Sequence, residues 1–252
     1  MKKLLILFAL FIFACSSDDS SDTNDDNNNE LLNCDGNPVP TIVYGTQEWT
    51  VENACHITYR DGTPIPEVTD NTEWVSLTTG AWCYYDNDPT KHRLYNWYAV
   101  VGIHDTDPNT PNKEFAPEGW HVPSDAEWTT LENYLIANGY NFDQTTTGNK
   151  IAKSMASTTG WKDASKTSVI VSVGDVGNDQ NLNNRSGFNA LPEGNRSTSE
   201  FINKGYLATF WTSTETNTDS AFNRNLQVWY KYGLNNYSNV KQIGISVRFV
   251  RD

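Results

Sequence analysis

The spacing of apolar residues along this chain changes several times, and each change predicts a different element. Residues 4–13, LLILFALFIF, form an unbroken apolar run of ten after Lys2 and Lys3. That is too short for a stable membrane span and has the shape of a signal segment. Residues 39–44 and 48–52 are rich in β-branched and aromatic side chains and flank Gly45, which predicts two strands joined by a turn. Residues 94–101, LYNWYAVV, are apolar on nearly every side and fit a buried helix or a buried strand; helix is the preferred reading. The clearest helix is 124–138. Ser124 and Glu127 form a capping box, Asp125 suits the positive end of the helix dipole, and Trp128, Leu131 and Leu135 recur on one face before Asn138 and Gly139 stop it. Strands are expected at 169–173, 210–214, 221–230 and 245–250, with a long Asn/Asp/Gly-rich loop over 174–187. Helix early and strands late predict an α+β domain over 39–252.

The first 38 residues read differently. The apolar run ends in Ile12-Phe13-Ala14-Cys15, which resembles a bacterial lipobox, with Cys15 acylated as the new N-terminus; an ordinary signal peptide is the other reading. Residues 16–30, SSDDSSDTNDDNNNE, carry six acids, no base and no apolar side chain, so nothing in them offsets conformational entropy. An acidic tether over 16–38 is expected. Serines and aspartates directly after the cysteine resemble the export signal of Bacteroidetes-type lipoproteins, which implies the outer face of the outer membrane. Residues 31–252 hold sixteen bases against twenty-five acids, a net charge of −9 within the chain total of −13. No basic stripe occurs, which argues against nucleic acid as a partner.

Chemistry-bearing residues are few. Cys34, Cys55 and Cys83 permit three pairings with one thiol left over, and Cys55 with Cys83 is preferred because both lie well inside the predicted domain. GWHVPSDAEW at 119–128 places His121, Asp125 and Glu127 close together. The two acids have structural roles at a helix start, which lowers a carboxyl pKa rather than raising it as a catalytic acid needs. His121, between Trp120 and Val122, reads as a hydrogen-bonded core residue. No G-x-S-x-G motif is present, and His56, His92, His104 and His121 stand in no catalytic motif.

Eight motifs in order carry a resemblance: GTQEW (45–49), YRDGTPIPEVTD (59–70), GAWCYYDND (80–88), LYNWYAV (94–100), GWHVPSDAEWTTL (119–131), GFNALPEGNR (187–196), FWTSTE (210–215) and ISVRFVRD (245–252). Together they resemble the Fibrobacter succinogenes major paralogous domain of secreted and lipid-anchored bacterial proteins. That domain is similar in pattern to formylglycine-generating-enzyme-like and C-type-lectin-like proteins. The resemblance implies a C-type-lectin-like α+β fold: two helices, a small twisted sheet pairing N- and C-terminal strands, and long irregular loops. It implies no catalytic residues. Formylglycine-generating chemistry needs late cysteines as copper ligands, and residues 84–252 contain none.

A lectin-like fold presents ligands from its loops. GDVGNDQNLNNR at 174–185 is rich in the oxygens that Ca²⁺ prefers, with Asp175, Asp179, Asn181 and Asn183 as candidate ligands, although a solvated turn-rich loop is the preferred reading. The calcium-dependent sugar motifs of C-type lectins are absent. The clusters 86–88 and 105–107 are weaker versions of the same reading. Trp229, Tyr230, Tyr232 and Tyr237 are candidates for stacking against a sugar. The expectation is a non-catalytic, lipid-anchored surface domain that binds a glycan or protein, with a structural surface-coat component as the alternative.

Overall fold

The structure is a computed structural model that describes residues 31–166 and 170–252. Cys15 and the acidic segment 16–30 lie outside those residues. In chain order the strands and helices are β1 (Thr41–Tyr44), β2 (Gln47–Thr50), α1 (Asn71–Val75), β3 (Trp82–Tyr84), β4 (Arg93–Tyr95), α2 (Trp97–Val100), β5 (Trp120–His121), α3 (Asp125–Ala137), α4 (Ala152–Met155), β6 (Asn195–Arg196), β7 (Phe201–Ile202), β8 (Leu207–Asn217), β9 (Ser220–Gln227), β10 (Asn235–Val240) and β11 (Val250–Arg251). This is an α+β fold with one substantial helix and several small antiparallel sheets, ordered β1-β2-β11-β5, β10-β9-β8, β3-β4 and β6-β7.

Local signals hold where the partners are local. Tyr44 pairs with Gln47 around a two-residue turn in which Gly45 takes φ 66°, as a tight hairpin requires. In α3 the Ser124 hydroxyl accepts from the Glu127 backbone N–H at 3.3 Å, and the Glu127 carboxylate accepts from the Ser124 N–H at 2.7 Å. Trp128, Leu131 and Leu135 are buried, and Gly139 ends the helix at φ 73°.

Three expected elements differ. Residues 94–101 split into the end of β4 and the single turn of α2, because the buried Asn96 caps α2 by accepting from Ala99 N–H and also accepts from Ala81 N–H. A side chain that answers backbone groups on two segments ends one element and starts the next. Of the strand expected at 169–173, Val169 lies outside the described residues and the remainder turns. Ile170 and Val173 face solvent, and the Ser172 N–H goes to the Asp175 carboxylate at 2.6 Å instead of to a ladder. Residues 31–38, expected in the tether, pack on the body: Leu31 is buried and Leu32 bridges Pro38.

The disulfide expectation is also corrected. Cys34 pairs with Cys55, and Cys83 is a free thiol buried with Trp74, Tyr85 and Leu94. Cys83 lies on β3 opposite Leu94, where burial pushes its pKa up to about 11 and keeps it a neutral hydrophobe.

Segment 244–251 holds the sheets together. Gly244 bridges Arg196 of β6, Ile245 bridges Tyr95 of β4, and Ser246 bridges Phe210 of β8. Val250 then pairs with Trp49 of β2 and with His121 of β5. One extended stretch therefore touches all four sheets. Its side chains divide between the core around Trp49, Trp128, Phe188 and Phe210 and the core around Tyr95, Phe115, Trp211 and Phe249.

Buried cations complete the frame. Arg248 is buried and donates to Asn53 Oδ1 at 2.6 Å, Thr50 O at 2.7 Å, Phe188 O at 3.3 Å and Asn189 O at 3.2 Å, while stacking on Phe188. Arg196 donates to the carbonyls of Val68, Thr69 and Asp70 with its guanidinium 4.2 Å from the Trp74 ring centre. Arg224 on β9 ties the sheet to α3 through Asp125 at 2.7 Å and Glu132 at 2.9 Å. Replacing Arg248 by methionine removes every one of its donors at once and leaves buried carbonyls unanswered. The expected loss is about 3 kcal/mol or more, read from the urea midpoint at unchanged slope.

Candidate functional site

The predicted recognition residues lie on two chain segments 50 or so positions apart, and the fold joins them. Gly177 N–H donates to Val228 O at 2.7 Å, so the 174–183 loop is sewn to the end of β9. The approach is close enough that a Cβ on Gly177 would lie 2.5 Å from Val228 Cγ2 and from Lys162 O. The chain then turns through residues 228–234 into β10. This turn is anchored from below: Leu234 N–H and Asn149 Nδ2 both donate to Glu132 Oε1, at 3.0 and 2.9 Å. Glu132 is the carboxylate that also holds Arg224, so the turn rests on the ion pair joining α3 to β9.

On that base stand the aromatic side chains. Trp229 is 43% exposed with its ring centre 5.8 Å from Tyr206. Tyr232 is 49% exposed, lies edge-on to Tyr230 at 5.2 Å, and has the Lys231 ammonium 5.5 Å from its ring centre. Gln227 and Asn235, which flank the turn in sequence, both donate to Asn225 Oδ1. The result is an aromatic shelf on one turn, made of two pairs of rings, Trp229 with Tyr206 and Tyr232 with Tyr230, with the Lys231 ammonium beside the second pair. Tyr237 is exposed but stands along β10 opposite Asn223, away from both pairs of rings. Tyr206, which supports Trp229, was missed in the sequence because nothing local links positions 23 residues apart.

The four oxygen ligands proposed for calcium do not converge. Asp175 is buried and accepts from Ser172 N–H, Asn183 is buried and donates to Ser157 O and Val176 O, and Asn181 and Asp179 are exposed. The loop carbonyls do converge, but on a side chain. The buried Lys153 ammonium donates to Asp175 O at 3.3 Å, to Asp179 O at 3.1 Å and to Asn178 O. An ammonium thus stands where the loop concentrates its oxygens. The clusters 86–88 and 105–107 turn inward on themselves, with Asp88 accepting from Thr90 and Asp107 from Asn109. Among the described residues no three His, Cys, Asp or Glu side chains are placed to share a metal.

His121 is corrected as well. It is not a core residue: its side chain is 38% exposed, with Nδ1 2.7 Å from Asp252 and Nε2 2.7 Å from Glu127. Partial burial works against its charge, but the hydrogen bonds to Glu127 and Asp252 outweigh burial and raise its pKa. Glu127 is likewise opposed by burial yet held low by Ser124 and His121. With carboxylates on both ring nitrogens, the imidazole cross-links the start of α3 to the end of the chain and has no nitrogen left to abstract a proton from a substrate.

The Fibrobacter succinogenes major domain profile matches residues 42–251, and the chain belongs to that family. Comparison with curated proteins and with solved structures gives no match.

Two outcomes test this geometry. Because the folded pKa of His121 is raised, its contribution is complete below its ordinary value of 6.5 and is lost as pH rises through the raised value. Glu127 acts with the opposite sign, contributing above its ordinary 4.5 and losing that contribution as pH falls through its lowered value. The contribution of the His121–Glu127 pair should therefore be greatest at roughly pH 5–6.5, and His121→Gln should flatten the decline on the alkaline side of a melting curve series. For the loop, Lys153→Met should cost about 2–4 kcal/mol in urea unfolding, since buried carbonyls lose a charged donor. The melting temperature of the unaltered protein should be the same in calcium and in EDTA.

Proposed function

We propose that this member of the Fibrobacter succinogenes major domain family is a lipid-anchored, non-catalytic cell-surface domain that binds glycans through the Trp229–Tyr232 shelf. The observation that carries the reading is the pair of half-exposed rings, Trp229 and Tyr232, held on a turn braced by Glu132 and bordered by amides. Large rings left in water are unfavourable for the folded chain alone, whereas a sugar presents apolar C–H faces that cover them and hydroxyls that amides can meet. Amides flank the turn and Lys231 sets one ammonium beside Tyr232, which suits a neutral or weakly acidic sugar. Anchoring at Cys15, and an outer-membrane location facing the exterior, rest on the lipobox-like segment and the acidic residues after it. A C-type-lectin-like architecture is part of the same proposal, supported by the pairing of β2 with β11 and by the long irregular segments that carry the shelf.

The test is a screen of the purified protein against neutral and acidic glycans, followed by titration of any hit. Trp229→Ala or Tyr232→Ala should weaken binding about tenfold, with melting temperature nearly unchanged. If no glycan binds and the protein self-associates through the exposed edge of β10, the structural-coat reading replaces this one.

A further inference from the structure

A second concavity lies away from the aromatic shelf, where the N-terminal arm meets the body. Its volume is about 660 Å³, within the range of roughly 300–1,000 Å³ usual for small-molecule sites. The Cys34–Cys55 disulfide forms part of its wall, with His56, Arg60, Arg93 and Phe115 around it and Ile57 exposed beside them. Two guanidiniums line it beside one carboxylate, Glu118, and Arg60 is also paired with Glu114 at 4.0 Å. Basic side chains are nonetheless gathered here in a chain whose net charge is −13.

Both guanidiniums are held rigidly. Arg93 lies 5.0 Å from the Trp82 ring centre and 5.3 Å from that of Tyr84, and it donates to Tyr84 Oη at 3.1 Å and to Cys55 O. Arg60 donates through Nε to Ala116 O at 2.9 Å and through Nη2 to Pro117 O at 3.0 Å and Trp120 O at 3.2 Å, a grip that makes no use of Nη1. Fixed donors of this kind cost little further entropy on binding an anion. Two lining side chains also carry a buried nitrogen with no partner among the described residues, Arg93 Nε and His56 Nδ1. The His56 ring packs edge-on to Phe115 at 6.4 Å, which gives that wall an apolar, aromatic character.

We infer that this cavity binds a small carboxylate whose body is a ring or another compact apolar group. The carboxylate would engage the Arg60–Arg93 side, and the ring would lie toward Phe115 and Ile57. A sugar acid and an N-acylated aromatic amino acid share this chemistry. No covalent step is involved, and the inference stands apart from the aromatic shelf.

The experiment is titration of the purified protein, followed by amide chemical shifts, with glucuronate against glucose and with N-acetylphenylalanine against its amide. The expected result is saturable shifts at Ile57, Arg60 and Arg93 with at least one acid and none with its neutral counterpart. Which acid succeeds identifies the source of the carboxylate. Arg60→Gln, at an exposed position, should weaken that binding about tenfold through loss of a charge-assisted contact. Ile57→Trp, which fills the cavity without removing a charge, should abolish it. Equal binding of acid and neutral counterpart, or no shift by any acid at about 10 mM, overturns the inference.

Discussion

A fold made mostly of turns and short strands has to find partners for main-chain carbonyls that no ladder supplies. In this protein the partners are cationic side chains. Arg248 and Arg196 collect carbonyls from segments that lie far apart in the chain, Lys153 collects three from the 174–183 loop, and Arg185 reaches Gly139 O and Asn141 O. A guanidinium offers five donors in one plane, so one side chain can answer several strands of irregular backbone. Burying its charge is costly, and that cost is tolerable only because each carbonyl would be costly to leave alone. Aromatic faces complete the arrangement: Trp74 lies against Arg196 and Phe188 against Arg248. The irregular regions owe their definite shape to this exchange.

The shelf inherits its rigidity from the same source. Arg224 couples β9 to α3, Glu132 passes that coupling to Leu234, and Lys153 draws in the loop whose Gly177 meets Val228. A recognition surface on loops loses affinity when binding must first order it. Here the ordering is built into the core.

The parts of this structure that were legible in the sequence are those whose partners lie within a few residues. The β1–β2 turn needs only Gly45 and its flanks, and the α3 cap needs only Ser124 and Glu127. The parts that were not legible depend on distant partners. Asn96 splits an apolar run because it accepts from Ala81, 15 residues earlier. Cys55 pairs with Cys34 because Leu31 is buried and brings that arm onto the body, which the acidic composition just before it disguised. His121 lies next to Trp120 and Val122 yet points at Asp252, 131 residues away. For the same reason the eight ordered motifs identified the family without revealing that Arg196 and Arg248, inside two of them, are hubs. The aromatic residues were recognised as a group, but the structure parts them: Trp229 leans on Tyr206, Tyr232 on Tyr230, and Tyr237 stands apart on β10.

Segment 244–251 has a consequence for how the chain is made. Synthesis runs from the N-terminus, so β2, β4, β5, β6 and β8 are all complete before the strand that joins them exists. Until then each sheet has an open edge, and neither aromatic core has Ile245, Val247, Phe249 or Val250 to close it. Contacts between residues nearly 200 positions apart cannot form early, and an incomplete chain has little reason to stay compact. The sheets of this design are locked to one another only when that segment is in place.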